Sequence, residues 1–141
     1  MTDRKTLTIK NTWSYVIAQP ELAGELFYEK LFELDPTLRG MFPPDLGHQA
    51  QKLTDMITYM VRRMQAMPDI QKEIDALAVR HAGYGVHDAH YITVGGALLS
   101  TLEKLLEEHW DEECCQAWTE LYNIWASSMI KASHEARNNS L

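Results

Sequence analysis

Helix punctuation constrains this chain more than any other feature. Breaks fall at Gln19-Pro20, Asp35-Pro36, Pro43-Pro44-Asp45, Met67-Pro68-Asp69, Gly83/Gly85 and Trp110-Asp111. Nearly every break offers an acidic N-cap or a first-turn proline to the segment that follows. An aspartate accepts from the orphan N–H groups of a first turn, and proline lacks an N–H that a first turn would leave unused. Between breaks, apolar residues recur every three or four positions, and no segment alternates like a strand bounded by hairpin turns. The chain therefore reads as all-α.

The spacing predicts a first helix from Asp3 to about Ala18, with Trp13, Val16 and Ile17 on one side. A second starts at Pro20 and carries Leu22, Leu26, Phe27 and Leu31; a short turn runs from Pro36 to Phe42. A helix after Asp45 aligns Leu46, Ala50, Leu53, Ile57, Met60 and Val61, and the next aligns Ile70, Ile74, Leu77, Ala78 and His81. Two longer helices follow, with Tyr91, Val94, Leu98, Leu102 and Leu105 on one and Trp118, Tyr122, Trp125, Met129 and Ala132 on the other. The polar end, Glu135 to Leu141, is expected to fray. Gly24 and Ala50 are the small residues on their apolar faces, which lets two helix axes cross closely. The alternative is that Gly24 is a weak spot costing its helix about 1 kcal/mol.

A chain of 141 residues, 45% of them hydrophobic, suits one domain over 1–141 around one core. Its 20 acidic against 13 basic side chains give a net charge of -7, which leaves no electrostatic footprint for nucleic acid and disfavours anionic lipid. The polar start, Met1 to Thr6, does not read as a signal peptide, and no apolar run is long enough to cross a bilayer. Cys114 and Cys115 are adjacent, where a disulfide would be strained, so a reducing cytoplasm is expected. The neighbouring Asp111, Glu112 and Glu113 argue for inert helix thiols.

His81 closes an apolar helix in Leu77-Ala78-Val79-Arg80-His81-Ala82-Gly83-Tyr84-Gly85-Val86. Alone, a histidine at a helix C-terminus reads as a cap favoured by the helix dipole, or else as a ligand. Tyr28, one turn after Gly24 on an apolar face, needs a partner for its hydroxyl. Placing Leu46, Ala50, Leu53 and Ile57 inward turns Gln49 inward too and leaves His48 at the rim. His87, His90, His109 and His134 show no metal-site spacing.

The order and spacing of five segments resemble the globin family. Within it, the likeness is to single-domain bacterial haemoglobins related to flavohaemoglobins. The segments are Gly24-Glu25-Leu26-Phe27-Tyr28-Glu29-Lys30-Leu31-Phe32, Pro36 with Phe42, Gln49-Ala50-Gln51-Lys52-Leu53, His81-Ala82-Gly83-Tyr84-Gly85-Val86 and His90-Tyr91-Ile92-Thr93-Val94-Gly95. Each is weak singly, but their order and spacing together are specific, and the resemblance covers nearly the whole chain. The resemblance implies a globin fold, a 3-on-3 helical sandwich around haem b, iron protoporphyrin IX. It matches His81 to the proximal iron ligand, with the Leu77 carbonyl accepting its other ring proton. Phe42 matches the corner aromatic that wedges the porphyrin, and Tyr28, Gln49 and Leu53 match the distal wall. Lys52 matches a propionate partner, Val86 and Val94 the far lining, and Tyr91 the packing behind His81; His90 is placed near a propionate. If its helix turned by one residue, His48 would reach the iron as a second imidazole ligand, which the periodicity opposes.

One departure matters. In flavohaemoglobins a glutamate on the last helix joins the tyrosine matched here by Tyr91 and makes the proximal imidazole more electron-donating. Ser133 falls at that place, and Glu135, two residues on, lies on the wrong face. The family likeness thus implies storage, transport or scavenging of dioxygen, with carbon monoxide and nitric oxide as further ligands. Tight oxygen binding is expected from Tyr28 and Gln49. The alternatives are a nitric oxide dioxygenase fed by a separate reductase and a haem-based gas or redox sensor; a monomer or homodimer is expected.

Overall fold

The computed structural model describes residues 1–64, 71–83 and 86–139, with side chains through Glu135. Among them every regular element is helical. Helix α1 (Asp3–Val16) starts where the Thr2 hydroxyl accepts from the Lys5 N–H at 3.2 Å. Helix α2 (Pro20–Leu34) carries its proline in the first turn. Asp35 ends it and, with a carboxylate 3.1 Å from the Thr37 N–H, opens a 3-10 segment over Pro36–Met41. Asp45 accepts from Gly47 N–H at 2.9 Å as α3 (Gly47–Arg62) begins.

Helix α4 covers Gln71–Gly83 and α5 covers Asp88–Leu106, followed by a 3-10 turn at Glu107–His109. Asp111 caps α6 (Glu112–Asn139), accepting from Cys114 N–H at 2.8 Å. Asp35 and Asp111 cap as expected, whereas the N-cap of α3 is Leu46 and Asp45 acts from one residue before it. The expected start at Met67-Pro68-Asp69, together with Ile70, Tyr84 and Gly85, lies outside the described residues. Helix α6 continues to Asn139, past Glu135 where fraying was expected. Glu135, Ala136 and Arg137 are good helix formers, and adding a residue to an existing helix needs only its backbone bond.

The closest packing joins α2 to α5, α4 to α6 and α2 to α3, while α1 packs on α6, α5 and α3. Trp118 sits fully buried in the core, its ring centroid 5.8 Å from that of Trp13. A buried indole N–H is costly unless bonded. Trp118 donates to the Thr12 hydroxyl at 2.9 Å, and Trp13 donates to the Thr58 hydroxyl at 2.9 Å. These two bonds tie α1 to α6 and to α3. No described helix is long and apolar enough to cross a membrane.

Candidate functional site

Helix α3 is held from one side by α2, and α4 is held by α6. Between α3 and α4 lies a cleft lined by Met56, Tyr59 and Met60 from α3 and by Glu73, Ile74 and Leu77 from α4.

On the α4 side, His81 is half-buried in the last turn. Its Nδ1–H donates to the Leu77 carbonyl at 2.8 Å, the i to i−4 pairing that the helix period permits. Burial pushes the imidazole below its ordinary value, against the opposing effect of that hydrogen bond. The ring is therefore neutral at neutral pH, and with Nδ1 carrying the proton, Nε2 keeps its lone pair. Just beyond, the Val86 N–H donates to the His81 carbonyl at 3.0 Å, fixing the exit of the chain.

On the opposite side, Tyr28 is buried within an aromatic cluster. Its ring centroid lies 5.4 Å from Phe42, 5.9 Å from Phe32 and 5.1 Å from Phe27, and Phe32 lies 5.6 Å from Phe42. The Tyr28 hydroxyl reaches the Gln49 backbone carbonyl at 3.5 Å, the outer limit of a hydrogen bond. Burial pushes its pKa up to about 12, so the phenol keeps its proton and remains a donor. Gln49 is half-buried and His48 exposed, as the helical phase requires. Leu53 is half-buried and lines an apolar cavity with Trp13, Phe27, Ile57 and Leu98. Lys52 is exposed and forms no ion pair among the described residues.

Behind α4, Tyr91 is buried and its carbonyl accepts from the Tyr122 hydroxyl at 2.5 Å. The Tyr122 ring lies so close to Gly95 that a Cβ there would meet it at 2.6 Å. Ser133 is buried and Glu135 exposed, so α6 presents a hydroxyl residue where the flavohaemoglobin pattern has a carboxylate. His90 Nδ1 accepts from the His87 N–H at 2.9 Å in a reciprocal cap of α5, which leaves only Nε2 for any propionate. His134 pairs with Asp88 at 2.9 Å.

Phe42, Leu53, Leu77, Val86 and Val94 all pack against the core yet stay only partly covered. Among the described residues no group of three metal-binding side chains occurs. The donor set at His81 is therefore one neutral nitrogen beside apolar walls. That set is unsuited to a bare ion and suited to a flat apolar ligand that brings its own metal and in-plane nitrogens. Nothing in the sequence pattern points to Arg39, which binds the corner carrying Phe42, or to the seat of Tyr122 on α5. The adjacent Gly95 and Gly96 opposite an aromatic residue were the available sign of the second.

Residues 25–129 match the model of the family described as Globin. Leghemoglobin 49 of Vicia faba is 26% identical over 142 residues, which covers 93% of this chain and 97% of that protein. The flavohemoprotein of Chromobacterium violaceum is 29% identical over 107 residues; the match covers 74% of this chain but only 26% of the flavohemoprotein. A bacterial globin from Campylobacter jejuni has a similar structure, with a TM-score of 0.87 at 24% identity over 97% of this chain and 99% of that one.

Proposed function

This chain belongs to the globin family, and from that premise we propose that it holds haem b through His81 and binds dioxygen beside Tyr28 and Gln49. The haem supplies, when bound, a ferrous iron that takes up diatomic gases. The observation that carries the reading is the pairing of His81 Nδ1–H with the Leu77 carbonyl at 2.8 Å, which leaves a neutral Nε2 for the iron. Phe42, Leu53, Leu77, Val86 and Val94 would enclose the porphyrin, with Tyr91 behind His81. The exposed Lys52, which has no ion pair among the described residues, would answer a propionate.

The distal residues set the selectivity. Tyr28 holds its proton at Oη and is bound only loosely to Gln49, so its hydroxyl is available to a ligand. The Gln49 amide is a second donor on the same wall. Dioxygen draws negative charge on binding, and a hydrogen bond to a charged acceptor contributes about 1.5–3 kcal/mol. Each ~1.4 kcal/mol slows release tenfold. Carbon monoxide draws less charge and gains less. The result is tight, slow oxygen binding, suited to storage, transport or scavenging of a diatomic gas in the cytoplasm.

A second reading, a nitric oxide dioxygenase served by a separate reductase, is supported by the likeness to a flavohemoprotein over 74% of this chain. Ser133 counts against it, because the residue matched to the flavohaemoglobin glutamate carries a hydroxyl and not a carboxylate. Sustained consumption of nitric oxide with an added reductase would favour the enzyme, and a single stoichiometric reaction would favour carriage. The deciding measurement is the absorption spectrum after hemin addition, recorded ferric, reduced, and reduced with carbon monoxide. Typical globin bands are expected; a preparation that stays colourless overturns the reading.

A further inference from the structure

We propose that Arg39 is a positioning residue that fixes the aromatic wall of the gas site by holding Phe42 and covering Phe32. The link to gas release rests on the reading of Tyr28 as a donor. Arg39 lies on the 3-10 segment Pro36–Met41. Its Nη1 donates to the Phe42 carbonyl at 3.3 Å and to the Pro43 carbonyl at 3.0 Å, and its Nη2 donates to the Pro44 carbonyl at 3.0 Å. In return the Arg39 carbonyl accepts from the Phe42 N–H at 3.2 Å. Phe42 is thus bracketed by one residue through both of its peptide groups.

The corner needs such a clamp. Pro43 and Pro44 have no N–H, so the backbone has few donors with which to stabilise its own turn. A guanidinium offers several N–H groups in a planar fork and can engage successive carbonyls at once, whereas a lysine ammonium acts as a single point charge. The same guanidinium sits over the Phe32 ring, 5.4 Å from its centroid. Phe32, Phe42 and Tyr28 form a triangle of rings with centroids 5.4–5.9 Å apart. Among the described residues the Tyr28 hydroxyl is bonded to Gln49 alone, at the long distance of 3.5 Å to its carbonyl, so the packing of these rings contributes to its aim. Arg39 therefore acts on the donor through the rings.

The test compares Arg39→Met and Arg39→Lys with the parent protein, haem-free and haem-loaded. In the haem-free protein, helical content should stay near that of the parent, while the Phe42 ring-proton resonances shift in both variants and protease cutting at the corner rises. In the haem-loaded protein, dioxygen release should speed roughly three- to tenfold and carbon monoxide release much less. A merely structural role would leave the ratio of the two rates unchanged. Unmoved Phe42 resonances in Arg39→Met overturn the positioning role whatever the gases do. Moved resonances with an unchanged ratio overturn the link to Tyr28. A parallel Tyr28→Phe variant separates that result from failure of the donor reading, since the ratio would then be unaltered in Tyr28→Phe as well.

Discussion

A Cβ placed on Gly24 would stand 2.5 Å from the Ala50 Cβ, well inside an ordinary carbon contact. Helices α2 and α3 therefore cross in direct contact, at a point where one missing methyl group sets their separation. The crossing also places the two residues proposed as the distal wall. Tyr28 is one turn beyond Gly24 on α2, Gln49 is the neighbour of Ala50 on α3, and the hydroxyl of the first lies 3.5 Å from the carbonyl of the second.

Gly24→Ala should destabilise the protein by about 1–3 kcal/mol through overpacking. This opposes the gain of about 1 kcal/mol that alanine normally brings to a helix interior. Urea unfolding measures the balance. Adding Ala50→Gly to the variant moves the methyl from one helix to the other and should recover much of the loss. A Gly24→Ala protein as stable as the parent would show that the axes have room to spare.

Tyr28→Phe keeps the ring among Phe27, Phe32 and Phe42 and removes only the donor. Loss of about 1.5–3 kcal/mol should speed dioxygen release roughly tenfold to a hundredfold. Carbon monoxide release should change far less. Stopped-flow measurement with both gases decides the matter, and equal acceleration of the two would refute the donor role.

The same phenol predicts an alkaline loss of stability. Tyr28 stays protonated up to about 12 in the folded protein against an ordinary 10.0, because burial disfavours the phenolate. Between these values the unfolded chain binds fewer protons than the folded one. The contribution is fully present below pH 10 and is lost as pH rises through about 12. Burial raises Tyr122 as well, so it acts with the same sign. Unfolding free energy measured across this window should fall less steeply in Tyr28→Phe than in the parent; parallel slopes would contradict the burial argument.

What the sequence made legible was local or periodic. Asp35 and Asp111 announce helix starts because a cap needs only its own next residues. His81 and Leu77 pair because the helix brings i and i−4 together, and Gly24 meets Ala50 because both are the small residues on apolar faces. Arg39 was hidden for the opposite reason: its partners are backbone carbonyls, which every residue has. Tyr122 was visible as a core residue, but its bond to the Tyr91 carbonyl depends on how α5 and α6 are set against each other. The continuation of α6 to Asn139 left no apolar trace, since extending an existing helix needs only backbone bonds. Lys52 is exposed and has no ion pair among the described residues, so the packing of the chain neither supports nor opposes the propionate role proposed for it.

His81→Gly tests the proposed metal ligand while sparing the fold. The residue sits in the last turn of α4, where a glycine at a helix end costs little, and its half-buried ring carries no core packing comparable to Ile74 or Ala78. Hemin affinity should fall by about a hundredfold or more, beyond the 10–100-fold typical of losing only a ligand's supporting partner. The Leu77 carbonyl remains in the variant, so imidazole added to the buffer finds both the space and the acceptor that oriented the native ring. Its addition should restore the absorption bands, with helical content unchanged throughout. Rescue by imidazole distinguishes a lost ligand from a damaged helix. Parent-like bands in His81→Gly without imidazole would remove His81 as the ligand and turn attention to His48 on the opposite wall.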